Sequence, residues 1–188
     1  NAISIDIMLP GLQQIGASLG VSDENERQFV ITAYLLGMGV AQLFFGPLSD
    51  RFGRKGPLLA GLGLYALCAL SIVFVPTFTG LLVLRFVQGI GAAATRVISV
   101  SIVRDVYGGH MMAEVMSLIM MVFMIVPVIA PSIGQLIMLF AEWHMIFVAI
   151  CIFAAFVATL VVTKLPETLP EDHRRPFTPA SIVDGFRI

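Results

Sequence analysis

Gly46-Pro47-Leu48-Ser49-Asp50-Arg51-Phe52-Gly53-Arg54-Lys55 is a knot of charge set between two apolar segments. Upstream, residues 28–49 carry no charged side chain, and downstream residues 56–84 carry none either. Each run is long enough to cross a bilayer, since a helix rising about 1.5 Å per residue needs about 20 residues to span a core of about 30 Å. The charges therefore sit in a short turn between two membrane spans.

Composition agrees with that reading. The chain is 58% hydrophobic and 12% charged, with a mean hydropathy of +0.96, whereas soluble domains carry roughly 25% charged residues. The formal net charge of −1 points to no nucleic-acid partner. Cys68 and Cys151 stand in apolar runs without CxxC spacing and read as packing residues. The chain begins at Asn1 inside apolar sequence, with no basic n-region, which reads as a fragment and not as a signal peptide.

Extending the count gives one partial span, residues 1 to about 17, and five complete ones near 28–49, 57–75, 81–103, 115–140 and 143–163. The expected fold is an all-α integral membrane bundle over residues 1–163, with residues 164–188 beginning a polar linker. Arg51, Arg54, Lys55, Arg104, Lys164, Arg174, Arg175 and Arg187 fall on one side, and Arg27 alone on the other. Cytoplasmic loops hold the excess of lysine and arginine, so the Asp50 turn is expected in the cytoplasm. Within the linker, Thr178-Pro179 starts either a short amphipathic surface helix or an unordered tail.

Charges at bilayer depth come next, because each costs about 2.5 to 3.5 kcal/mol on insertion scales and usually faces a polar space. Asp6, Arg85 and Arg96 qualify. At about 100° per residue, Arg85 and Arg96 fall within about 20° of each other on the fourth span, with Gln88, Ala92 and Ser99 close to the same stripe. That stripe reads as a lining for water or substrate. The plainer alternative has Arg85 snorkelling to the outer surface and Arg96 pairing with a neighbouring helix. Asp6 lies near mid-membrane, and Pro10 at i+4 leaves its carbonyl without a helical donor. A carboxylate there is costly to keep ionised unless a cation such as Arg85 compensates, which suits a proton carrier or, alternatively, a structural ion pair.

Small residues at Ala33, Gly37 and Ala41, and at Gly89, Gly91 and Ala93, read as helix-packing faces. Met116, Met120 and Met124 form a stripe leading to Pro127, Pro131 and Gly134, where a bend of the fifth span is expected. His110, His144 and His173 are scattered, without HExxH or paired aspartates at depth, so neither an enzyme nor a metal site is expected. No repeated polar ring suggests a channel.

These motifs resemble the major facilitator superfamily, most closely its drug/proton antiporters of the bicyclomycin-resistance (Bcr/CflA) type. The Gly46 to Lys55 turn is similar to that family's signature G-x-L-x-D-R-x-G-R-K, and Leu84-Arg85-Phe86-Val87-Gln88-Gly89-Ile90-Gly91-Ala92 to its fourth-span signature. Ala130-Pro131-Ser132-Ile133-Gly134 resembles the fifth-span antiporter signature, with Ala130 and Gln135 where glycines are usual. Asp6-Ile7-Met8-Leu9-Pro10 and Leu165-Pro166-Glu167-Thr168-Leu169 resemble the first-span aspartate motif and the exit from span six.

The resemblance implies the amino-terminal half of a twelve-span, monomeric transporter of the bacterial inner membrane that exports small drug-like compounds against protons and needs no cofactor. An importer or exporter of sugars or organic ions is the second reading. The implied roles are proton coupling at Asp6 and Arg85; a substrate cavity at Tyr34, Met38, Gln88, Arg96, Met120 and Met124; and a gate at Gly46, Asp50, Arg51, Gly53, Arg54 and Asp105. In that gate Gly46 is expected to allow close backbone approach, Asp50 to face a helix N-terminus of the missing carboxy-terminal half, and Arg54 to meet Asp50 and either Asp105 or Glu114.

Overall fold

A computed structural model describes residues 2–21 and 23–170, so the segment from Thr178, read as either a surface helix or an unordered tail, lies outside the described residues. The elements run α1 (Ala2–Asp6), a 3-10 turn (Leu9–Gly11), α2 (Leu12–Ser18), α3 (Glu24–Phe52), α4 (Lys55–Ile72), α5 (Phe78–Val106), α6 (Gly109–Phe140) and α7 (His144–Lys164). The five long helices, α3 to α7, are each long and apolar enough to cross a membrane. Most of these helices run further than the uncharged stretches of sequence, because their charged ends are helical too. Asp23 caps α3 by accepting from the backbone N–H of Asn25 at 2.9 Å, and Thr77 caps α5 by accepting from Gly80 at 3.3 Å.

The first span departs from a single helix. It is broken at Ile7–Met8, where the backbone N–H of Met8 turns to the Ile5 carbonyl at 3.3 Å instead of continuing the i→i−4 ladder to Ser4. A backbone group freed at membrane depth must find a partner inside the protein. The freed acceptor that is used is the Ser4 carbonyl, and not the Asp6 carbonyl that Pro10 was expected to release.

The most extensive packing is α5 on α3, then α5 on α4 and α4 on α7. Glycines decide how close these helices lie. A Cβ on Gly37 would strike the Phe86 carbonyl oxygen, and one on Gly89 would strike that of Tyr34. Gly61 and Gly91 play the same part between α4 and α5.

α6 lies at the margin of the bundle with only Ala130 and Gly134 buried. Its helix is continuous through Pro127 and Pro131, whereas the first span is interrupted. Gly134 serves a contact: a Cβ there would meet the carbonyl oxygen of Ile7, at the break in the first span. The helix thus seats the distorted backbone of its neighbour.

Candidate functional site

Two polar clusters stand out in an otherwise apolar bundle. The first is built around Arg85 on α5, which is fully buried. Its Nη1 donates to Ser4 Oγ at 3.1 Å and to Gln88 Oε1 at 2.8 Å, and its Nη2 donates to the Ser4 carbonyl at 3.1 Å and to Met8 Sδ at 3.2 Å. The guanidinium also lies 4.9 Å from the ring centroid of Tyr34 and 5.4 Å from that of Phe147. Aromatic faces attract a cation, more so when it is desolvated. α1, α3, α5 and α7 therefore all converge on one charge.

Ser4 and Met8 are four positions apart and both address Arg85. Asp6 lies between them, about 200° from Ser4 at the helical 100° per residue, so it points to the other side of α1. The expected Asp6–Arg85 partnership is accordingly not the arrangement found: Asp6 is half-buried, and the acceptors of Arg85 are neutral. The snorkelling alternative for Arg85 is also excluded by its complete burial.

The polar stripe on α5 divides along its length. Arg85, Gln88 and Ala92 are buried, whereas Arg96 and Ser99 are exposed. Sharing an angular position does not make two residues share an environment, since what covers a helix face changes every few turns. Tyr34 and Met38 are buried with Gln88, while Met120 and Met124 are exposed on α6. Of the six candidate cavity residues, three lie inside the bundle and three on its surface. A separate apolar cavity of about 160 Å³ opens between α1, α4, α5 and α7, bordered by Ile3, Leu62, Tyr65, Thr95, Ile150 and Phe153. That is smaller than the roughly 300 to 1,000 Å³ typical of ligand pockets.

The second cluster is the charged turn between α3 and α4. α3 ends at Phe52, and Gly53 follows with φ of +85°, a conformation that favours glycine. Gly53 is doubly constrained, because a Cβ would also lie 2.6 Å from Glu167 Oε2. Gly46 has open space around its Cβ position on the side of this chain, and the close approach within the chain is at Gly53. Arg54 is nearly buried and forms the hub: Nε donates to Asp105 Oδ2 at 2.7 Å, and Nη1 donates to Asp50 Oδ1 at 2.6 Å and Ser49 Oγ at 2.7 Å. Burial acts against the charged form of Arg54, but the hydrogen bonds it donates to Asp105 and Asp50 outweigh it and raise its pKa. Asp105 takes the place for which Glu114 was the alternative; Arg51 is exposed and lies over the Phe52 ring at 5.2 Å.

Glu167, in the chain leaving α7, completes this cluster. Its Oε1 accepts from the backbone N–H of Arg54 at 2.7 Å and its Oε2 from that of Lys55 at 3.1 Å, so it caps α4 from 112 residues away. Burial alone would raise its pKa, but backbone N–H donors from Arg54, Leu169, Lys55 and Thr168 hold it below the ordinary carboxylate value. Lys55 Nζ in turn donates to the Val162 carbonyl at 3.0 Å, on the last turn of α7. The sequence signal for Glu167 was a carboxylate beside Pro166, whose partner is invisible without the fold. Ser4, Met8 and Phe147 had no such signal.

Among the described residues no group of three or more His, Cys, Asp or Glu is placed to hold a metal ion.

Comparison with known proteins agrees with this architecture. Residues 1–187 match the sequence profile of the Major Facilitator Superfamily. The chain is 39% identical over 176 residues to the "Uncharacterized MFS-type transporter YdgK" of Bacillus subtilis (strain 168), covering 93% of this chain and 44% of that protein. It is 39% identical over 182 residues to the "Bicyclomycin resistance protein homolog" of Haemophilus influenzae, covering 97% of this chain and 46% of that one. The "Multidrug resistance protein MdtL" of Klebsiella pneumoniae (strain 342) is 37% identical over 175 residues, covering 93% and 44%. The crystal structure of the human organic anion transporter MFSD10 (TETRAN) shares the fold at a TM-score of 0.72 and 21% identity, over 97% of this chain and 49% of that one. The chain thus spans less than half the length of these relatives. Five membrane-length helices, a charged turn organised by Arg54 and a profile match along nearly the whole sequence make this chain a member of the Major Facilitator Superfamily.

Proposed function

We propose that the chain is the amino-terminal half of a transporter that exports small amphipathic drug-like compounds in exchange for protons across a bacterial inner membrane. The observation carrying this reading is the fully buried guanidinium of Arg85 inside a bundle of apolar helices. An intramembrane ionisable residue facing the bundle interior is the usual mark of a substrate or proton pathway. The relatives named for bicyclomycin and multidrug resistance support drug-like substrates.

In this reading Asp6 carries the exchangeable proton. Arg85 acts on it through the field of a fixed positive charge and not through direct contact. Arg96, Met120 and Met124, which are exposed, face the substrate space shared with the second half, and Tyr34, Met38 and Gln88 support it from behind. Asp50, Arg54 and Asp105 close the cytoplasmic side and are separated and rejoined as the two halves rock. The protein works as a monomer and uses no cofactor.

The test is drug efflux by the full-length protein in everted vesicles, with and without a proton gradient. Accumulation driven by the gradient supports the reading. Accumulation of a sugar or organic ion in place of drugs favours the alternative transporter reading, and transport indifferent to the gradient removes the proton coupling.

A further inference from the structure

Arg85 is a buried cation whose partners are all uncharged: a hydroxyl, an amide oxygen, a backbone carbonyl and a thioether. Taking a charge out of water without a counter-charge costs several kcal/mol even after relaxation. The same cluster holds three buried polar atoms without a hydrogen-bond partner in the described chain: Arg85 Nε, Gln88 Nε2 and Tyr34 Oη. All three side chains are fully buried. Gln88 has committed its oxygen to Arg85, leaving its NH2 group, and the Tyr34 ring lies beside the guanidinium. Every one of these atoms can donate a hydrogen bond, and two can only donate. Unsatisfied donors next to an uncompensated positive charge describe a site for a negative acceptor.

We propose that Arg85, Gln88 and Tyr34 form a buried binding site for one small monovalent anion, a halide or a carboxylate group, between α1, α3 and α5. A water molecule would meet the hydrogen bonds but not the charge. A polyvalent anion would reverse the imbalance and bring a larger desolvation cost. Asp6 does not fill the role, since it lies on the opposite side of α1 from Ser4 and Met8. The inference rests on this cluster alone and does not depend on which compounds the transporter carries.

The experiment uses full-length protein in detergent, with chloride or formate replacing methanesulfonate at constant ionic strength. A bound anion stabilises the folded state by linkage, so the thermal unfolding midpoint is expected to rise and saturate, by at least about 2 °C over about 0 to 100 mM anion. Tyr34→Phe and Gln88→Met keep the volume and the Arg85 charge, and each should raise the half-saturating concentration about five-fold through loss of one hydrogen bond. Arg85→Gln should abolish the response; should that variant not fold, the other two carry the test. Saturation by chloride identifies a free ion, whereas saturation by formate alone identifies the carboxylate of an organic compound. Absence of a saturable response in the wild type overturns the proposal, as does a response unchanged in both Tyr34→Phe and Gln88→Met. A response that appears only in Asp6→Asn also overturns it and assigns the counter-charge to Asp6.

Discussion

The carboxylate of Glu167 accepts a 2.7 Å hydrogen bond from the backbone N–H of Arg54, 113 residues earlier, at the residue that caps the start of α4. The same residue's guanidinium joins Asp50 at the end of α3 to Asp105 at the end of α5. One position thus ties the ends of three helices together and is itself held by the segment leaving α7. Glu167→Ala is expected to destabilise the protein by about 1 kcal/mol, the usual worth of a helix cap. Because its folded pKa is depressed, the contribution of Glu167 is present above the ordinary glutamate value of 4.5 and is lost as pH falls below it. Thermal unfolding of wild type and variant across that range checks this; a difference that grows as pH falls would contradict it.

The two carboxylates on Arg54 should differ in worth. Asp105 keeps 18% of its side-chain surface exposed and Asp50 keeps 41%. A double-mutant cycle should give a coupling of about 1 to 3 kcal/mol for Arg54–Asp105 and about 1 kcal/mol or less for Arg54–Asp50. Asp50→Asn should therefore leave expression intact while slowing transport, if its charge acts mainly on the missing half. Equal couplings would mean that the network is one structural unit with no exposed arm available for gating.

Glycine positions provide a third comparison. Gly89→Ala drives a methyl group into the Tyr34 carbonyl, and Gly37→Ala into that of Phe86, with backbone on both sides unable to yield. Each is expected to cost about 1 to 3 kcal/mol, as overpacking does. Gly39→Ala and Gly63→Ala place the methyl in open space and should be neutral or slightly stabilising. Expression level and unfolding midpoint of the four variants decide the matter, and indistinguishable results would discount the close approach of α3 and α5.

Orientation is testable by labelling. After replacement of Cys68 and Cys151, a single cysteine at Phe52, exposed at the charged turn, should resist impermeant thiol reagents in intact cells, and one at Glu142, exposed at the opposite turn, should react. From the order of the spans in the sequence, eight of nine loop cations are expected on the Phe52 side. The reverse pattern would invert the topology.

Asp6→Asn removes the titratable group proposed to carry the proton and leaves the packing around Arg85 in place, because Asp6 is not among the acceptors of that guanidinium. The variant should bind substrate yet lose accumulation driven by the proton gradient, with residual exchange independent of pH. Normal coupled accumulation would move the coupling site to the second half.

Class, helix number and the charged turn were legible in the chain because they depend on local quantities. The length of an apolar run sets whether a segment crosses a bilayer, and Asp50 and Arg54, four residues apart across one short turn, are held near each other by the chain itself. What the tertiary structure alone decided depends on which backbone lies opposite. Arg85 and Arg96 occupy nearly the same angle on α5, yet one is enclosed by α1, α3 and α7 while the other is exposed. Asp6 carried the expected charge, but the broken first span turns Ser4 and Met8 toward the guanidinium in its place. Gly46 and Gly53 were alike in the signature, and only the fold places a left-handed turn and the Glu167 carboxylate at the second. Periodicity assigns a residue to a face of its own helix; what that face meets is set by the crossing of other helices, whose positions depend on contacts far apart in the sequence.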